Sequence, residues 1–278
     1  DGYLECKAKG LVGNTIPLEF PSVGATENTM MAALMAEGET RILNGAKEPE
    51  IIDLQNYLRS CGAEISGAGT DEICIVGKKP LIETTYQVIP DRIEGGTILA
   101  AVAATGGQVV LKNAIPGHME ATLEILEEAG CNVIREPNRV SLKAPNRLKG
   151  VKHIVTQPYP GFPTDMQSQI IALLIRSDGS SRITETIFEN RFKYVEELNK
   201  MGAKIRLEGR TATVIGVNHL KGTRVSAQDL RGGASLVIAG LVAEGDTVVD
   251  QVYHIDRGYE RLETVLSKLG AKITRRTS

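Results

Sequence analysis

Tryptophan is absent from the 278 residues, and all aromatic residues together make up 4%. A chain so poor in flat rings has little with which to build a base-stacking platform, which argues against single-stranded nucleic acid as a ligand. An excess of one charge is missing too: 32 Lys+Arg stand against 34 Asp+Glu, a formal net charge of −2. That balance gives no global pull toward nucleic acid or an anionic membrane. The apolar runs are short and broken by charge, so no transmembrane helix is expected. The four cysteines (Cys6, Cys61, Cys74, Cys131) show no CxxC spacing, and the four histidines (His118, His153, His219, His254) form no HExxH. Neither a zinc site nor a disulfide framework is suggested; buried free thiols in a reducing compartment are expected. No P-loop and no strand–GxGxxG–helix occurs, so neither ATP nor a dinucleotide is implied. The first residue is Asp1 rather than Met, with no signal-like segment before it, which leaves cleavage, truncation or an engineered start open.

Against these absences, hydrophobic residues make up 42% and charged residues 24%, the proportions of a globular chain with a real core. One phrase recurs four times: Ser-Cys-Gly62-Ala-Glu-Ile, Glu-Ala-Gly130-Cys-Asn-Val, Lys-Met-Gly202-Ala-Lys-Ile and Lys-Leu-Gly270-Ala-Lys-Ile, its glycines 68, 72 and 68 residues apart. Each follows apolar residues spaced three and four apart, such as Leu54–Leu58 and Leu262–Leu266. That pattern predicts an amphipathic helix stopped by glycine, with a strand beginning just beyond. A second phrase, at Gly38, Gly106, Gly179 and Gly245, follows apolar stretches at 30–35, 98–104, 170–175 and 234–242. These stretches are hydrophobic nearly all round and predict helices buried on most faces. Each unit therefore reads strand, buried helix, strand, second helix, strand pair. The expected class is an α/β (α+β) repeat fold with four units visible, its helices inside and its sheets outside.

Each buried helix is preceded by a polar cluster: Ser22-Val23-Gly24, Asp91, Thr164-Asp165, and Asp229-Leu230-Arg231. For Asp91 and Asp229 an N-capping role explains the residue without further function. The alternative is a set of helix N-termini suited to phosphates or carboxylates. Asp165 lies behind a loop with three prolines, Pro158, Pro160 and Pro163, which stiffen its approach. For it a cap and a positioned base toward a substrate hydroxyl both stand. Arg191 and Arg257 occupy matched positions after the second strand of a unit, and Arg231 sits at a helix entrance. A guanidinium fork suits phosphate or carboxylate; the alternative is a surface ion pair. Residue chemistry alone thus reaches a repeat-built enzyme for an anionic substrate.

Four segments carry a more specific likeness: Phe-Pro-Thr-Asp-Met-Gln (162–167), Glu-Thr-Ile-Phe-Glu-Asn-Arg-Phe (185–192), Asp-Leu-Arg (229–231) and His-Ile-Asp-Arg-Gly-Tyr-Glu-Arg (254–261). With Ser22–Thr26 and Ala46–Ile51 they make the chain, from end to end, resemble the UDP-N-acetylglucosamine 1-carboxyvinyltransferases, which are enolpyruvyl transferases. The resemblance implies two inside-out α/β barrel domains of three units each, with the active site between them. Residues 1–89 would be the remainder of the first and 90–278 the second, two units being absent upstream. The implied substrates are phosphoenolpyruvate and UDP-N-acetylglucosamine, with no metal or other cofactor, no nucleic-acid or membrane partner, and a cytoplasmic location. By the same resemblance Asp165 is the base at the sugar hydroxyl, and Arg231 and Arg257 hold phosphoenolpyruvate. Ser22, Val23 and Gly24 cradle the UDP moiety, Thr164 and Ile187 contact substrate, and Arg191 lies in a family motif. None of the four cysteines falls in the family's general-acid loop, so the isolated chain is expected to be inactive. Enolpyruvylshikimate-phosphate synthase, which shares the cosubstrate, and a non-catalytic UDP-sugar-binding fragment are the alternatives.

Overall fold

A computed structural model describes residue 2 and residues 5–276. The chain divides into two compact units, residues 1–89 with 158–160, and residues 90–157 with 161–278. In the first unit the order is β1 (Thr15–Pro17), α1 (Val23–Ala33), β2 (Glu39–Leu43), α2 (Pro49–Ser60), β3 (Glu64–Ser66) and β4 (Glu72–Val76). Its sheet runs β1-β2-β4-β3: β1 pairs parallel to β2, and β4 pairs antiparallel to both β2 and β3. Ile42, Ile65, Ile73 and Ile75 turn inward from the sheet onto Met30, Ala33 and Leu58 of the two helices. The strands are half-buried, alternating in and out with the period of two that a one-sided sheet requires.

The second unit continues with α3 (Arg92–Thr105), β5 (Gln108–Lys112), α4 (Glu120–Glu128), β6 (Asn132–Glu136), β7 (Arg139–Lys143) and β8 (His153–Val155). A 3-10 turn (Thr164–Met166) then leads into α5 (Gln167–Leu174), β9 (Ser180–Thr184), α6 (Val195–Lys200), β10 (Lys204–Glu208) and β11 (Thr211–Ile215). The last elements are β12 (Arg224–Ser226), α7 (Leu230–Leu241), β13 (Val248–Asp250), α8 (Tyr253–Asp256) and α9 (Leu262–Lys268). The sheets here are β5-β7-β6, β10-β11-β9-β8 and β12-β13. Helices α3, α5 and α7 pack on one another. All eight residues of α5 are buried, and α3 buries Ile93 and every residue from Gly95 to Ala103. Three internal helices with sheets around them are the inverse of the usual layering, as the nearly unbroken apolar stretches predict.

The repeated glycine ends its helix each time. Gly62, Gly130, Gly202 and Gly270 follow the last turns of α2, α4, α6 and α9 with φ between +94° and +103°. Only a residue without Cβ takes that left-handed conformation at no cost, so the phrase recurs because the turn recurs.

Four expectations are corrected. The second repeat has no opening strand among the described residues. The segment before α3 spends its hydrogen bonds otherwise: Ile82 N–H donates to the Cys61 carbonyl, and Tyr86 Oη and Ile89 N–H donate to the Asp53 carboxylate. No strand follows Gly270, because a strand needs a hydrogen-bonded partner and no return strand lies beyond it among the described residues. The stretch 30–35, the last turn of α1 and the residues just after it, is not buried all round; Met31 and Met35 are 47% and 59% exposed, since within their unit α2 and the sheet cover only one side. Cysteine burial is also uneven: Cys61 and Cys131 are buried, Cys74 is half-buried and Cys6 is exposed, all as free thiols. Among the described residues no helix is long and apolar enough to cross a membrane.

Cys131 lies in the apolar core of the second unit, and burial pushes its thiol pKa up to about 11. An unfolded cysteine ionises near pH 8.5. Between those values the folded chain holds a proton that the unfolded chain releases, so stability falls as pH rises. In urea titrations the wild type is expected to lose stability relative to Cys131→Ala from about pH 8.5 upward, with no such trend below it. Parallel pH profiles for the two proteins would contradict this.

Candidate functional site

The polar clusters ahead of the internal helices resolve into two kinds. Ser22 Oγ accepts from the Ala25 N–H at 3.3 Å, and Asp91 accepts from Ile93 and Glu94 N–H at 2.7 and 3.0 Å. Asp229 accepts from Arg231 and Gly232 N–H at 3.0 and 2.8 Å. These three are N-caps, each meeting donors that the helix itself leaves unpaired.

Asp165 is not a cap. It sits inside the 3-10 turn before α5, and neither that turn nor α5 has a side-chain cap. Its two carboxylate oxygens go instead to two arginines: Oδ1 to Arg191 Nη2 at 2.5 Å and Oδ2 to Arg231 Nη2 at 3.1 Å. The carboxylate remains 38% exposed, while the Arg231 side chain is only 12% exposed. Arg191 arrives through a left-handed turn at Asn190, φ +55°, a conformation asparagine tolerates, and its guanidinium lies over the Phe188 ring 5.1 Å from the centroid.

Arg231 carries the most informative geometry. Its guanidinium stands over the Tyr259 ring, 5.4 Å from the centroid, with Nη2 on Asp165. Its Nε and Nη1 are buried and have no hydrogen-bond partner among the described residues. Burial works to lower the Arg231 pKa, but the neighbouring Tyr259 and Asp165 outweigh it and the group is held above the ordinary arginine value. A cation fixed in place with donors to spare is suited to an anionic ligand.

Behind these residues lies a polar layer. Tyr259, 2% exposed, shares a hydrogen bond with Thr97 Oγ1 at 2.8 Å, and Gln169 Nε2 donates to Thr97, to Tyr259 Oη and to the Asp165 carbonyl. These bonds join α3, α5 and the turn after α8. Glu185, just beyond β9, is 1% exposed and accepts from Thr164 Oγ1 and the Ile187 N–H, both at 2.8 Å. Thr164, Asp165, Ile187, Arg191 and Arg231 are thereby brought into one neighbourhood. Arg257 is not joined to it: it lies exposed in the turn after α8, with no side-chain partner among the described residues. Ser22, Val23 and Gly24 form the start of α1 in the first unit. Among the described residues no group of three or more His, Cys, Asp or Glu side chains is placed to hold a metal ion.

Glu185, Gln167, Gln169 and Tyr259 were not singled out by sequence reasoning. The available signal was the polar run Gln167-Ser168-Gln169 at the head of an otherwise apolar, wholly buried helix, since buried amides require partners.

A family model described as EPSP synthase (3-phosphoshikimate 1-carboxyvinyltransferase) matches residues 2–266. The chain belongs to this family. It is 52% identical over 275 residues to UDP-N-acetylglucosamine 1-carboxyvinyltransferase 1 of Caldanaerobacter subterraneus subsp. tengcongensis, covering 99% of this chain and 66% of that protein. It is 54% identical over 276 residues to UDP-N-acetylglucosamine 1-carboxyvinyltransferase 2 of Carboxydothermus hydrogenoformans, again covering 99% and 66%. The chain thus spans just under two thirds of the length of the curated relatives it matches. Among solved structures, the enolpyruvyl transferase NikO from Streptomyces tendae superimposes with a TM-score of 0.85 at 26% identity, over 95% of this chain and 66% of that one. EPSP synthase from Acinetobacter baumannii shares the fold at a TM-score of 0.71 and 20% identity, over 94% and 63%. The inside-out α/β class expected from the repeats is therefore the observed one.

Because Asp229 caps the helix that delivers Arg231, Asp229→Ala is expected to cost about 1 kcal/mol in urea unfolding, and Asp229→Asn, which keeps an acceptor, measurably less. Equal losses for the two variants would contradict the capping role.

Proposed function

We propose that the chain carries the enolpyruvyl-transfer site of a cytoplasmic enzyme of peptidoglycan precursor synthesis. The reaction moves the enolpyruvyl group of phosphoenolpyruvate to the 3-hydroxyl of UDP-N-acetylglucosamine and releases phosphate. The observation that carries this reading is Arg231, buried beside Asp165 with Nε and Nη1 unpartnered. Those two N–H groups are donors for the phosphate or carboxylate of phosphoenolpyruvate, and Asp165 stands next to them as acceptor for a hydroxyl proton.

In the addition step C3 of phosphoenolpyruvate gains a proton while the sugar oxygen bonds to C2, its own proton passing to the Asp165 carboxylate. In the elimination step the C2–O bond to phosphate breaks, C3 gives up a proton, and the enol ether forms. The phosphate and carboxylate stay anionic throughout, so fixed cations stabilise both the bound substrate and the charge that shifts during transfer. Arg257 is assigned to phosphoenolpyruvate with Arg231, and Arg191 steadies Asp165. Thr164 and Ile187 are assigned to the sugar substrate, and the α1 entrance at Ser22, Val23 and Gly24 to the UDP moiety. Residues 1–89 are read as the remainder of a first inside-out domain and 90–278 as a second. The general acid that protonates C3 is assigned outside these residues, as no cysteine here lies in the corresponding motif.

Calorimetric titration with UDP-N-acetylglucosamine, phosphoenolpyruvate and shikimate 3-phosphate, beside a phosphate-release assay, tests this. The chain, at verified intact mass, is expected to bind the UDP-sugar, to ignore shikimate 3-phosphate and to release no phosphate by itself. Preferential binding of shikimate 3-phosphate would favour the synthase alternative, and turnover by this chain would overturn the placement of the general acid.

A further inference from the structure

Glu185 is a buried carboxylate with no cation on it among the described residues; its partners are hydrogen-bond donors. Oε1 accepts from Thr156 Oγ1 at 2.9 Å, Ile187 N–H at 2.8 Å and Phe188 N–H at 3.1 Å. Oε2 accepts from Thr164 Oγ1 at 2.8 Å and Gln167 Nε2 at 3.0 Å. Gln167 is in turn fixed by the Tyr194 hydroxyl, which donates to its Oε1 at 2.6 Å. A charge this deep is tolerated only when its lone pairs are fully used, and here five donors use them.

The donors come from three separate stretches of chain. Thr156 follows β8; Thr164 and Gln167 flank Asp165 on either side; Ile187 and Phe188 begin the turn that leads to Arg191. One oxygen therefore holds the turn that carries Arg191, and the other holds the loop that carries Asp165. The Asp165–Arg191 pair at 2.5 Å closes the same ring from its far side. An ion pair a quarter or more exposed at both ends, as this one is (25% and 38%), contributes little rigidity by itself. Glu185 is the buried side of that ring.

We propose that Glu185 is a positioning residue for the sugar hydroxyl: its carboxylate sets Thr164, Asp165 and Ile187 at the geometry that receives the 3-hydroxyl, without touching substrate. The inference rests on the reading of Asp165 as the partner of that hydroxyl. Glu185→Gln keeps the shape but replaces one acceptor by an NH2 that faces donors. The Ile187 and Phe188 N–H groups cannot reverse, and the Gln167 amide is held by Tyr194, so the linkage fails on one side or the other.

The test compares the affinity of the chain for UDP-N-acetylglucosamine with that for UDP, which lacks the sugar hydroxyl, and follows amide exchange at Ile187 and Phe188. The wild type is expected to prefer the UDP-sugar. Glu185→Gln is expected to keep its affinity for UDP, lose about tenfold or more of the preference, and exchange faster at both amides. If that variant does not fold, Thr156→Val, which removes one donor to the Glu185 carboxylate at a residue assigned no substrate contact, is expected to reduce the preference in the same sense. A folded Glu185→Gln that retains the full preference overturns the inference and leaves the proposed function standing. A wild type with no preference for the UDP-sugar overturns the reading of Asp165 instead. Unchanged amide exchange in the variant overturns the holding role of Glu185 in either case.

Discussion

The carboxylate of Asp165, with one oxygen on Arg191 and the other on Arg231, is the point on which the site depends. The three residues come from three stretches of the second unit: the 3-10 turn before α5, the turn after β9, and the first turn of α7. Nothing local holds them together. Asp165 and Arg231 meet because α5 and α7 pack on one another and bring their entrances together, with Gln169 binding the Asp165 carbonyl from inside α5, and the turn that carries Arg191 is tied to the Asp165 loop through Glu185. Packing of apolar helix faces is non-directional and supplies most of the association. The buried hydrogen bonds of Gln169, Tyr259 and Glu185 then select one arrangement.

The repeat clarifies why the carboxylate at this corner, and not at its equivalents, is left to partners outside its own helix. At three helix entrances the polar residue is an N-cap, its acceptor consumed by the helix it begins. At the fourth, a 3-10 turn precedes the helix, no side chain caps either segment, and Asp165 is left to other partners. A structural role occupies Ser22 Oγ, Asp91 and Asp229; its absence frees Asp165.

Much of this was legible in the sequence because it rests on local chemistry. Glycine phrases marked helix ends, since only glycine takes the required φ cheaply. Runs without a polar face marked the internal helices 92–105, 167–174 and 230–241. The same rule misjudged residues 30–35, where Met31 and Met35 are exposed: composition reports what a helix is able to bury, and not what neighbours its unit supplies. Strand pairing is less legible, because it depends on partners distant in sequence: the segment before Arg92 gives its hydrogen bonds to Cys61 and Asp53 instead of to β5, and no return strand lies beyond Gly270 among the described residues. Asp165, Arg231 and Arg191 stood out from their context. Glu185 did not, because a lone glutamate in a polar motif looks the same whether it faces solvent or receives five donors from residues up to 29 positions away.

A crystal of the chain soaked with phosphoenolpyruvate gives the most direct test of the claim that Arg231 is an anion site poised beside Asp165. The account predicts the ligand's phosphate or carboxylate within hydrogen-bond distance of Arg231 Nε or Nη1, with the Asp165 carboxylate adjoining it. Ordered phosphoenolpyruvate elsewhere on the chain, with both nitrogens still unpartnered, would contradict it.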